Sequence, residues 1–357
     1  MTLEDLGWAQ GFAEAFAPHA AQGVEPARVS LEHTHIYRVL TASGERLARV
    51  AGRLRHAAGG RADFPAVGDW VALEVPPAGG DARIRAILPR VSRFSRRAAG
   101  NPTEEQVVAA NIDVVFLVSG LDRDFNARRI ERYLVTAWDS GASPVIVLNK
   151  ADLVEDPSPF VDEVRALAAG VPVHAVSAKD PASLDPVRAY LARDRTAALL
   201  GSSGVGKSSI ANALIGASVL RTREVREADS RGRHTTTGRQ LVLLPEGGIL
   251  IDTPGMRELQ LWDTGESVAG AFADIEALGD GCRFRDCRHE TEPGCAVVAA
   301  VAGGTLPTER LESFRKLQGE QAHQATQQDE RARLEEKRMG KIGAKALRSR
   351  LKDKGRR

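Results

Sequence analysis

The stretch Gly201-Ser-Ser-Gly-Val-Gly-Lys-Ser-Ser209 lies just past the middle of this 357-residue chain and decides its fold. It matches the pattern G-x-x-x-x-G-K-[ST], in which glycines allow successive backbone N–H groups to point towards phosphates. An apolar run at 197–200 precedes it like a buried strand, and a helical pattern follows it from Ser209 to Ile215. The alternative is a plain Gly/Ser-rich turn, but the complete pattern between a strand and a helix favours a nucleotide-phosphate site.

Particular side chains of this loop have predictable tasks. Lys207 is expected to reach the β- and γ-phosphates of the nucleotide, and the Ser208 hydroxyl to ligate Mg²⁺. The residues predicted to surround the phosphates are Gly201, Ser202, Ser203, Gly204, Val205, Gly206, Lys207, Ser208 and Ser209.

Two motifs that precede the loop predict which base is bound. Asn149-Lys150-Ala151-Asp152 ends an apolar strand at 144–148, where α/β folds place ligand-binding residues. Guanine presents two N–H donors that a carboxylate such as Asp152 accepts, whereas adenine has no such pair. Asn149 is expected to hold the loop and meet the carbonyl side of the base, with the stem of Lys150 along the ring. Ser177-Ala178-Lys179, after the next strand, is expected to offer the Ala178 N–H to the guanine oxygen.

Two further segments predict γ-phosphate sensing. Asp252-Thr-Pro-Gly255 ends the strand at 248–251, which fits Asp252 near Mg²⁺ and the Gly255 N–H on the γ-phosphate. In the polar loop 231–237, Thr236, with Thr235 beside it, is expected to complete the Mg²⁺ shell. Met256 stands where many GTPases have a water-orienting glutamine, and His234 is the nearest replacement, the alternative being a solvent-facing loop histidine. The predicted catalytic residues are therefore His234, Lys207 and Thr236.

The order of these motifs predicts a circular permutation. The base motifs come before the phosphate loop, whereas ordinary small GTPases place them after it. Such rearrangement is tolerated because the termini of compact domains often lie close together. The chain predicts alternating strands and helices from 99 to 265, hence a parallel sheet with helices on both faces. The γ-phosphate-sensing segment 252–255 then leads directly into the region after residue 265. We therefore expect the change from GTP to GDP to be transmitted to that region through the chain.

The first 98 residues predict a different architecture. Short alternating strands at 27–31, 36–40, 46–50, 69–75 and 82–88 favour a closed β-barrel of OB-fold type. Before them, residues 1–22 predict a short amphipathic helix or a loose arm. Nucleic-acid binding is favoured over a plain spacer, because six arginines follow or overlap the last strand and suit a phosphate backbone. They are Arg83, Arg85, Arg90, Arg93, Arg96 and Arg97. The segment 101–105 is predicted to be a linker.

All three cysteines lie within 14 residues, with a histidine among them. Cys282, Cys287, His289 and Cys295 predict a closed tetrahedral zinc site of structural type. The alternatives are three incidental cysteines, or Asp286 or water in place of His289. The helix predicted at 308–317 is expected to pack on this site and present Arg310, Arg315 and Lys316.

Composition and charge restrict the class of protein. A chain with 43% hydrophobic and 27% charged residues, and no apolar run of about 18 residues, predicts a soluble globular protein without a membrane partner. The start lacks a basic segment followed by an apolar one, and the few clustered cysteines fit a reducing compartment, so the cytoplasm is expected. Residues 331–357 carry twelve basic and three acidic side chains, a net +9 that leaves −7 on the rest. This tail predicts a polyanionic partner, or else only aids solubility.

The sequence predicts a multidomain chain: an N-terminal arm and OB-fold β-barrel at 1–98, a circularly permuted P-loop GTPase domain of α/β class at 99–265, an α-helical zinc-binding domain at 266–320, and a basic helical or partly disordered tail at 321–357. The permuted order, the segments 232–237 and 252–255, and the Cys/His spacing together resemble the ribosome small subunit-dependent GTPase (RsgA) family of bacteria over nearly the whole chain. The hydrophobic residue at Met256 agrees with the family's lack of the glutamine.

The resemblance implies a monomeric GTPase that binds the small ribosomal subunit during late maturation. Ribosome contact would stimulate hydrolysis of GTP to GDP, and release would follow. The barrel and the zinc domain would bind ribosomal RNA. Two alternatives keep the same motifs: a GTP-gated RNA-binding switch with little turnover, and a GTP-dependent metal-handling protein, which would need exposed, exchangeable ligands.

Overall fold

The computed structural model describes residues 1–33, 36–77, 79–98, 101–123, 125–192, 194–216, 240–252, 271–320, 322 and 326. These fall into two compact units, one formed by 1–97 with 104–271 and the other by 98–103 with 272–357. Among the described residues, no helix combines the length and apolar character needed to cross a lipid bilayer.

A closed five-stranded barrel begins the first unit. Its strands pair in the order β1-β2-β3-β5-β4 and back to β1, with β3 and β5 parallel and the other pairs antiparallel. Period-two alternation puts an apolar set inside, including Val29, Val39 and Ile84, none of which is exposed. The predicted OB-type barrel is confirmed. The strands are β1 (Glu25–His33), β2 (Ile36–Thr41), β3 (Gly44–Val50), β4 (Trp70–Glu74) and β5 (Ala82–Ile87).

Helices close the barrel. The arm forms a 3-10 turn (Glu4–Leu6) and α1 (Gln10–Ala20), and Leu6 and Phe12 are buried against Trp70 and Leu88. The short α2 (Gly52–Ala57) and a 3-10 turn (Arg61–Asp63) connect β3 to β4. The arm is thus an integral part of the barrel unit.

A buried arginine connects the barrel to the segment that enters the second half of this unit. The Arg28 guanidinium donates to the carbonyls of Leu6, Gly68 and Asn111. Burial lowers the pKa of Arg28 to about 10. Asn111 adds a bond from its Nδ2 to Gly68 O at 3.1 Å. The barrel is therefore fixed by buried polar contacts as well as by apolar packing.

The strands before the α/β half correct the predicted linker. β6 (Arg93–Ala98) and β7 (Asn101–Ala110) form a two-stranded sheet, so 101–105 is strand and not linker. The ladder supplied by the neighbouring strand overrides the weak strand propensity of Asn, Pro and Glu. Arg90 also departs from expectation: it pairs with the buried Asp69 at 2.7 Å, so it is not on offer to a phosphate backbone.

The α/β half has the predicted sheet. Its strand order is β10-β9-β8-β11-β13-β12, parallel except for the antiparallel pair β13–β12. β12 also pairs with β1 of the barrel at Leu31 and Gln240. The strands are β8 (Val114–Gly120), β9 (Ser143–Asn149), β10 (Val173–Ala175), β11 (Thr196–Leu200), β12 (Gln240–Leu243) and β13 (Ile249–Asp252).

Helices cover both faces of this sheet, as predicted. Along β8, Val115 and Leu117 point into the core shared with α3 and α4, while Phe116 and Val118 point into the core shared with α5 and α6. These helices are α3 (Ala127–Ser140), α4 (Ser158–Leu167), α5 (Asp185–Arg188) and α6 (Lys207–Ile215), with 3-10 turns at Ala151–Leu153 and Pro181–Leu184.

The second unit is helical around the cysteine-rich loop. It contains α7 (Ala273–Gly279), α8 (Ala296–Ala302) and a helix over residues 308–320, which confirms the helix predicted at 308–317. Phe272 and Phe314 are buried with ring centroids 5.3 Å apart. These apolar contacts form a small core, to which the loop between α7 and α8 adds the side chains described below.

Candidate functional site

The phosphate loop lies at the carboxyl ends of the parallel strands, between β11 and α6. β11 is central in its half of the sheet, paired with β13 on one side and β8 on the other. Ser208 and Ser209 fall in the first turn of α6, which begins at Lys207. The loop is therefore followed at once by a helix N-terminus, whose backbone N–H groups and dipole favour an anion.

Two glycines are required by the path of the loop. Gly201 has φ 156°, and a Cβ there would lie 2.2 Å from Val118 O. Gly206 has φ 97°, and a Cβ there would lie 2.2 Å from Asn149 Nδ2. No side chain fits at either distance. Each of the two glycines that the pattern requires is therefore needed for its own steric reason.

Lys207 closes over the loop that precedes it. Its ammonium donates to Gly201 O at 2.7 Å and to Ser202 O at 2.6 Å. A lysine held in this way keeps its positive charge at the loop, where nucleotide phosphates are expected.

Asn149 connects the phosphate loop to the loop after β10. Its side chain is buried, and its Nδ2 donates to Val205 O at 2.8 Å. Its Oδ1 accepts the Ala178 N–H at 3.0 Å. One residue at the end of β9 thus brings together three segments predicted to share a nucleotide, and Val205 is buried beside it.

Asp152 is held as a carboxylate beside these residues. It accepts hydrogen bonds from Lys179 Nζ at 2.8 Å and Ser177 Oγ at 2.6 Å. The hydrogen bond from Lys179, followed by that from Ser177, holds the pKa of Asp152 below its usual value. The side chain therefore remains an anionic acceptor at neutral pH. Ala151 anchors the turn through its N–H to Val176 O at 3.0 Å.

Sequence patterns did not reveal three neighbours of this site. Asp122, just after β8, forms an ion pair with Lys150 Nζ. Arg129 and Tyr133 of α3 contact the Ser202 hydroxyl, across 73 and 69 residues of chain. No local motif marks these positions, because their partners become neighbours only when the sheet forms.

The remaining nucleotide residues are placed in part. Gly204 has φ 84° within the loop, and Asp252 pairs in register with Gln240 at the end of β13. His234, Thr235, Thr236 and Gly255 lie outside the described residues.

A cavity of about 810 Å³ lies away from this edge. Its walls come from α2, from β5 with the turn that follows it, and from Trp138 to Gly141 at the C-terminal end of α3. Since α3 starts at the carboxyl edge and runs back along the sheet, this cavity is at the opposite end from the phosphate loop. The nucleotide site is thus identified by its chemistry and not by the size of a cavity.

The second unit brings the predicted metal ligands together. The ligand atoms of Cys282, Cys287, His289 and Cys295 all lie within 4.8 Å of one another. Cys282 Sγ is 3.8 Å from Cys295 Sγ, and His289 Nδ1 is 3.6 and 3.4 Å from these two sulfurs. A tetrahedral ion with zinc-like bonds of about 2.3 Å to sulfur and about 2.0 Å to nitrogen puts its ligand atoms roughly 3.5–3.8 Å apart. The set therefore fits a tetrahedral metal ion, and none of the three cysteines is in a disulfide.

Neighbouring groups hold this loop in shape. The Glu292 carboxylate accepts the N–H groups of Arg288, Glu290 and Thr291, and the bond from Arg288 leads the effects that lower the pKa of Glu292 to about 2. The Phe314 ring lies 6.2 Å from the His289 ring, centroid to centroid. The helix 308–320 therefore packs on the metal ligands, as predicted.

One residue of that helix corrects the prediction. Arg310 is buried and not presented to solvent: it forms a two-pronged ion pair with Asp274 at 2.8 and 2.7 Å and lies 4.6 Å over the Phe272 ring. Arg315 donates to His289 O and thereby supports a ligand. A guanidinium can bind a carboxylate or a carbonyl and also stack on an aromatic ring. Arg310 and Arg315, two of the three basic residues, therefore stabilise the second unit.

Comparison with known proteins gives a consistent relationship. The sequence model of the RsgA GTPase family matches residues 87–262. The "Small ribosomal subunit biogenesis GTPase RsgA" of Opitutus terrae is 50% identical over 96% of this chain and 96% of its own length. The protein of the same name from Streptomyces coelicolor is 45% identical over 97% of this chain and 94% of its own length.

Two solved structures share the fold described above. YjeQ from Thermotoga maritima superposes with a TM-score of 0.62 at 28% identity, covering 84% of this chain and 99% of that one. YloQ, a circularly permuted GTPase, gives 0.58 at 24% identity and so shows the fold alone, over 85% of this chain and 97% of that one. With its permuted motif order, its barrel and its Cys₃His group, the chain belongs to the RsgA family of circularly permuted GTPases.

Proposed function

We propose that this chain is a GTP hydrolase that binds the small ribosomal subunit and acts in its late maturation, with hydrolysis stimulated by the ribosome. The names of its relatives support the process, because both proteins described above are named for small-subunit biogenesis and align with 96% and 97% of this chain. We further propose that it acts as a monomer in the cytoplasm, the compartment of that partner.

The observation that carries the proposal is the meeting of the phosphate loop with the base motifs at one edge of the sheet. Asn149 bonds to Val205 in the loop and to Ala178 in the base segment. A nucleotide with its phosphates in the loop would then present its base to Asp152, whose ionised carboxylate matches the two N–H donors of guanine. Adenine offers no such donor pair, so GTP and GDP are the expected ligands.

The reaction is hydrolysis of GTP with water to GDP and phosphate. Mg²⁺ would supply charge neutralisation at the β- and γ-phosphates, and its proposed protein neighbours are Ser208, Asp252 and Thr236, with Thr235 beside the last. Lys207, held by two loop carbonyls, adds a fixed positive charge where negative charge develops in the transition state. These residues orient the γ-phosphate and stabilise the negative charge that develops as its bond to GDP breaks.

Orientation of the attacking water is assigned to His234. The residue after Gly255 is Met256, whose thioether cannot position water in the way a glutamine amide does. An imidazole can accept a hydrogen bond from water and donate another, so His234 is the proposed group. His234→Ala should abolish subunit-stimulated hydrolysis while leaving GDP affinity unchanged; normal hydrolysis by this variant would remove the assignment.

The barrel and the second unit are proposed to bind ribosomal RNA. The barrel displays Arg83 and the tail carries a net charge of +9, both suited to a phosphate backbone. Zinc is the proposed metal of the second unit, because three thiolates and an imidazole at these distances suit its tetrahedral preference. With all four positions filled by protein, this zinc is structural, and a GTP-dependent metal carrier is not favoured.

The test is sedimentation with purified small subunits, large subunits and whole ribosomes, in GDP and in a non-hydrolysable GTP analogue. We expect co-sedimentation with small subunits in the GTP form and release in GDP. Single-turnover GTP hydrolysis, measured with and without small subunits, should be stimulated by them. Binding without stimulation would instead identify an RNA-binding switch with little turnover, and binding to neither subunit would refute the proposal.

A further inference from the structure

The N-terminal half of α3 lies against the phosphate loop. Arg129 Nη1 donates to Ser202 Oγ at 2.8 Å, and Tyr133 OH lies 3.1 Å from the same oxygen. The two residues are four apart on the helix and therefore share one face. A single loop hydroxyl is thus held by two side chains of one helix.

The same loop residue also holds the phosphate-binding lysine. Ser202 O accepts from Lys207 Nζ at 2.6 Å, and Gly201 O accepts at 2.7 Å. A shift of Ser202 would consequently move an acceptor of the Lys207 ammonium. The contacts form a continuous chain from α3, through Ser202, to the charge expected at the γ-phosphate.

The helix itself is firmly anchored. Ile130 and Leu134 are buried in the core under the sheet, on the turns that carry Arg129 and Tyr133. The helix begins at the cap residue Asn126, whose side chain accepts the Arg129 N–H at 3.1 Å. Since the backbone of α3 cannot shift without disturbing this core, its two side chains can impose a position on the loop.

We propose that Arg129 and Tyr133 are positioning residues for GTP hydrolysis, which hold Ser202 and through it Lys207 in register with the γ-phosphate. The inference rests on the GTP hydrolase activity proposed above. Neither residue is required to touch the nucleotide. Their effect is on the placement of Lys207, and a misplacement of about 1 Å at a catalytic group can cost on the order of 100-fold in rate.

The test compares small conservative changes in the full chain. Tyr133→Phe removes only a hydroxyl, and Arg129→Met removes the guanidinium but keeps an unbranched stem. Arg132→Lys is the matched control, because Arg132 is exposed on the same helix, next to Tyr133. Small-subunit-stimulated hydrolysis, KM for GTP and the melting temperature are measured for each variant.

For Tyr133→Phe and Arg129→Met we expect kcat to fall by about 10- to 100-fold. KM for GTP should change by less than about threefold, since an interaction that acts on the transition state lowers kcat and leaves binding in place. The melting temperature should stay within about 2 °C, because Tyr133→Phe keeps the ring that packs against the core and Arg129 is only half-buried. The control should match the wild type in all three measurements.

A double-mutant cycle sharpens the result. If Tyr133 acts through Ser202, adding Tyr133→Phe to Ser202→Ala should lower kcat no further than Ser202→Ala alone. Additive losses would overturn the proposal. So would a wild-type kcat in both Tyr133→Phe and Arg129→Met, or a kcat that falls only together with the melting temperature. A wild-type chain without stimulated hydrolysis would refute the proposed function itself, a result distinct from a failure of the variants.

Discussion

The phosphate loop and the metal loop are both short, glycine-containing segments that gather several functional groups, but they are held in different ways. The phosphate loop follows β11 and lies beside the end of β8, and every residue of these two strands is buried. The metal loop lies between α7 and α8. Each of these helices has seven residues, all of them described, and only one of the seven is buried. One loop rests on a large core, and the other has little core to rest on.

The difference shows what determines each geometry. Around the phosphate loop, Asn149 and the sheet fix the backbone, so ligand-contacting side chains can change without loss of the fold. Around the metal loop, three sulfurs and an imidazole converge between α7 and α8, in which Ile275 and Val297 are the only buried residues. A bound metal would order four such ligands, so metal binding there would also be folding energy.

Metal removal should have the largest effect. Structural zinc contributes about 10–16 kcal/mol of binding free energy in zinc-finger peptides at neutral pH, more than the whole stability of many domains. We expect Cys282→Ser, or a strong chelator, to abolish hydrogen-exchange protection over 272–320. GDP affinity should change by less than about twofold, because the nucleotide contacts described above lie in the other unit.

Mass spectrometry of hydrogen exchange, with GDP binding measured on the same sample, provides the check. Asp286→Asn is the control, because this residue of the same loop is not among the four ligands. Retained protection of 272–320 in metal-free protein would show that apolar packing, and not the metal, holds the second unit.

Loss of the Asp152 carboxylate should come next. Asp152→Ala removes the carboxylate that accepts two N–H donors of guanine. Loss of two hydrogen bonds to a charged group should weaken GDP affinity by about 100- to 10,000-fold. The exposed Glu155→Ala, three residues on, is the matched control. Fluorescent GDP titration measures both, and an unchanged melting temperature separates lost binding from lost folding.

The pKa of Asp152 adds a direction to this prediction. Because Lys179 and Ser177 hold that pKa below its usual value, the carboxylate stays ionised down to lower pH than an ordinary aspartate. GDP affinity should therefore be flat from pH 7 to pH 5. In Lys179→Met the pKa rises towards the ordinary value, so affinity should begin to weaken at a higher pH; identical pH profiles would contradict this account.

A glycine pair on α6 tests the rigidity of the phosphate loop with a smaller effect. Gly206 and Gly216 flank the helix with φ 97° and 73°. An alanine at either position would be strained by about 1–2 kcal/mol. Only at Gly206 does a Cβ meet Asn149, whereas nothing lies within 4 Å of one at Gly216. We expect Gly206→Ala to weaken GDP binding at least tenfold, and Gly216→Ala to lower only the melting temperature. Equal GDP affinities would show that the loop can yield.

Much of this arrangement could be predicted from the sequence, for reasons visible in particular residues. The barrel strands could be predicted because apolar and polar residues alternate along them, with Val39 and Ala48 among the buried ones. The metal set is local, since its ligands fall between 282 and 295. The phosphate loop depends on backbone geometry that only glycine at Gly201 and Gly206 permits. Each of these signals is contained within a short segment of chain.

What could not be predicted depends on partners far along the chain. β7 begins at Asn101 because β6 offers it a ladder, not because Asn-Pro-Thr favours a strand. Arg310 is buried because Asp274, 36 residues earlier, accepts both of its prongs. The contacts of Arg129 and Tyr133 with Ser202 span about twice that distance. Polar contacts between distant segments leave no periodicity, so only the fold reveals them.

The smallest predicted effect concerns Glu292 at the metal loop. Its carboxylate accepts three backbone N–H groups, those of Arg288, Glu290 and Thr291 on either side of His289, so Glu292→Gln should loosen the ligands without removing one. We expect zinc affinity, measured by competition with a chromophoric chelator, to fall by less than about tenfold, at or below the range found for groups that support metal ligands. Glu290→Gln, whose carboxylate lies two residues away on the same loop, is the control. A loss as large as that of Cys282→Ser would mean that the protein, and not the metal, shapes this loop, and the contrast with the phosphate loop would disappear.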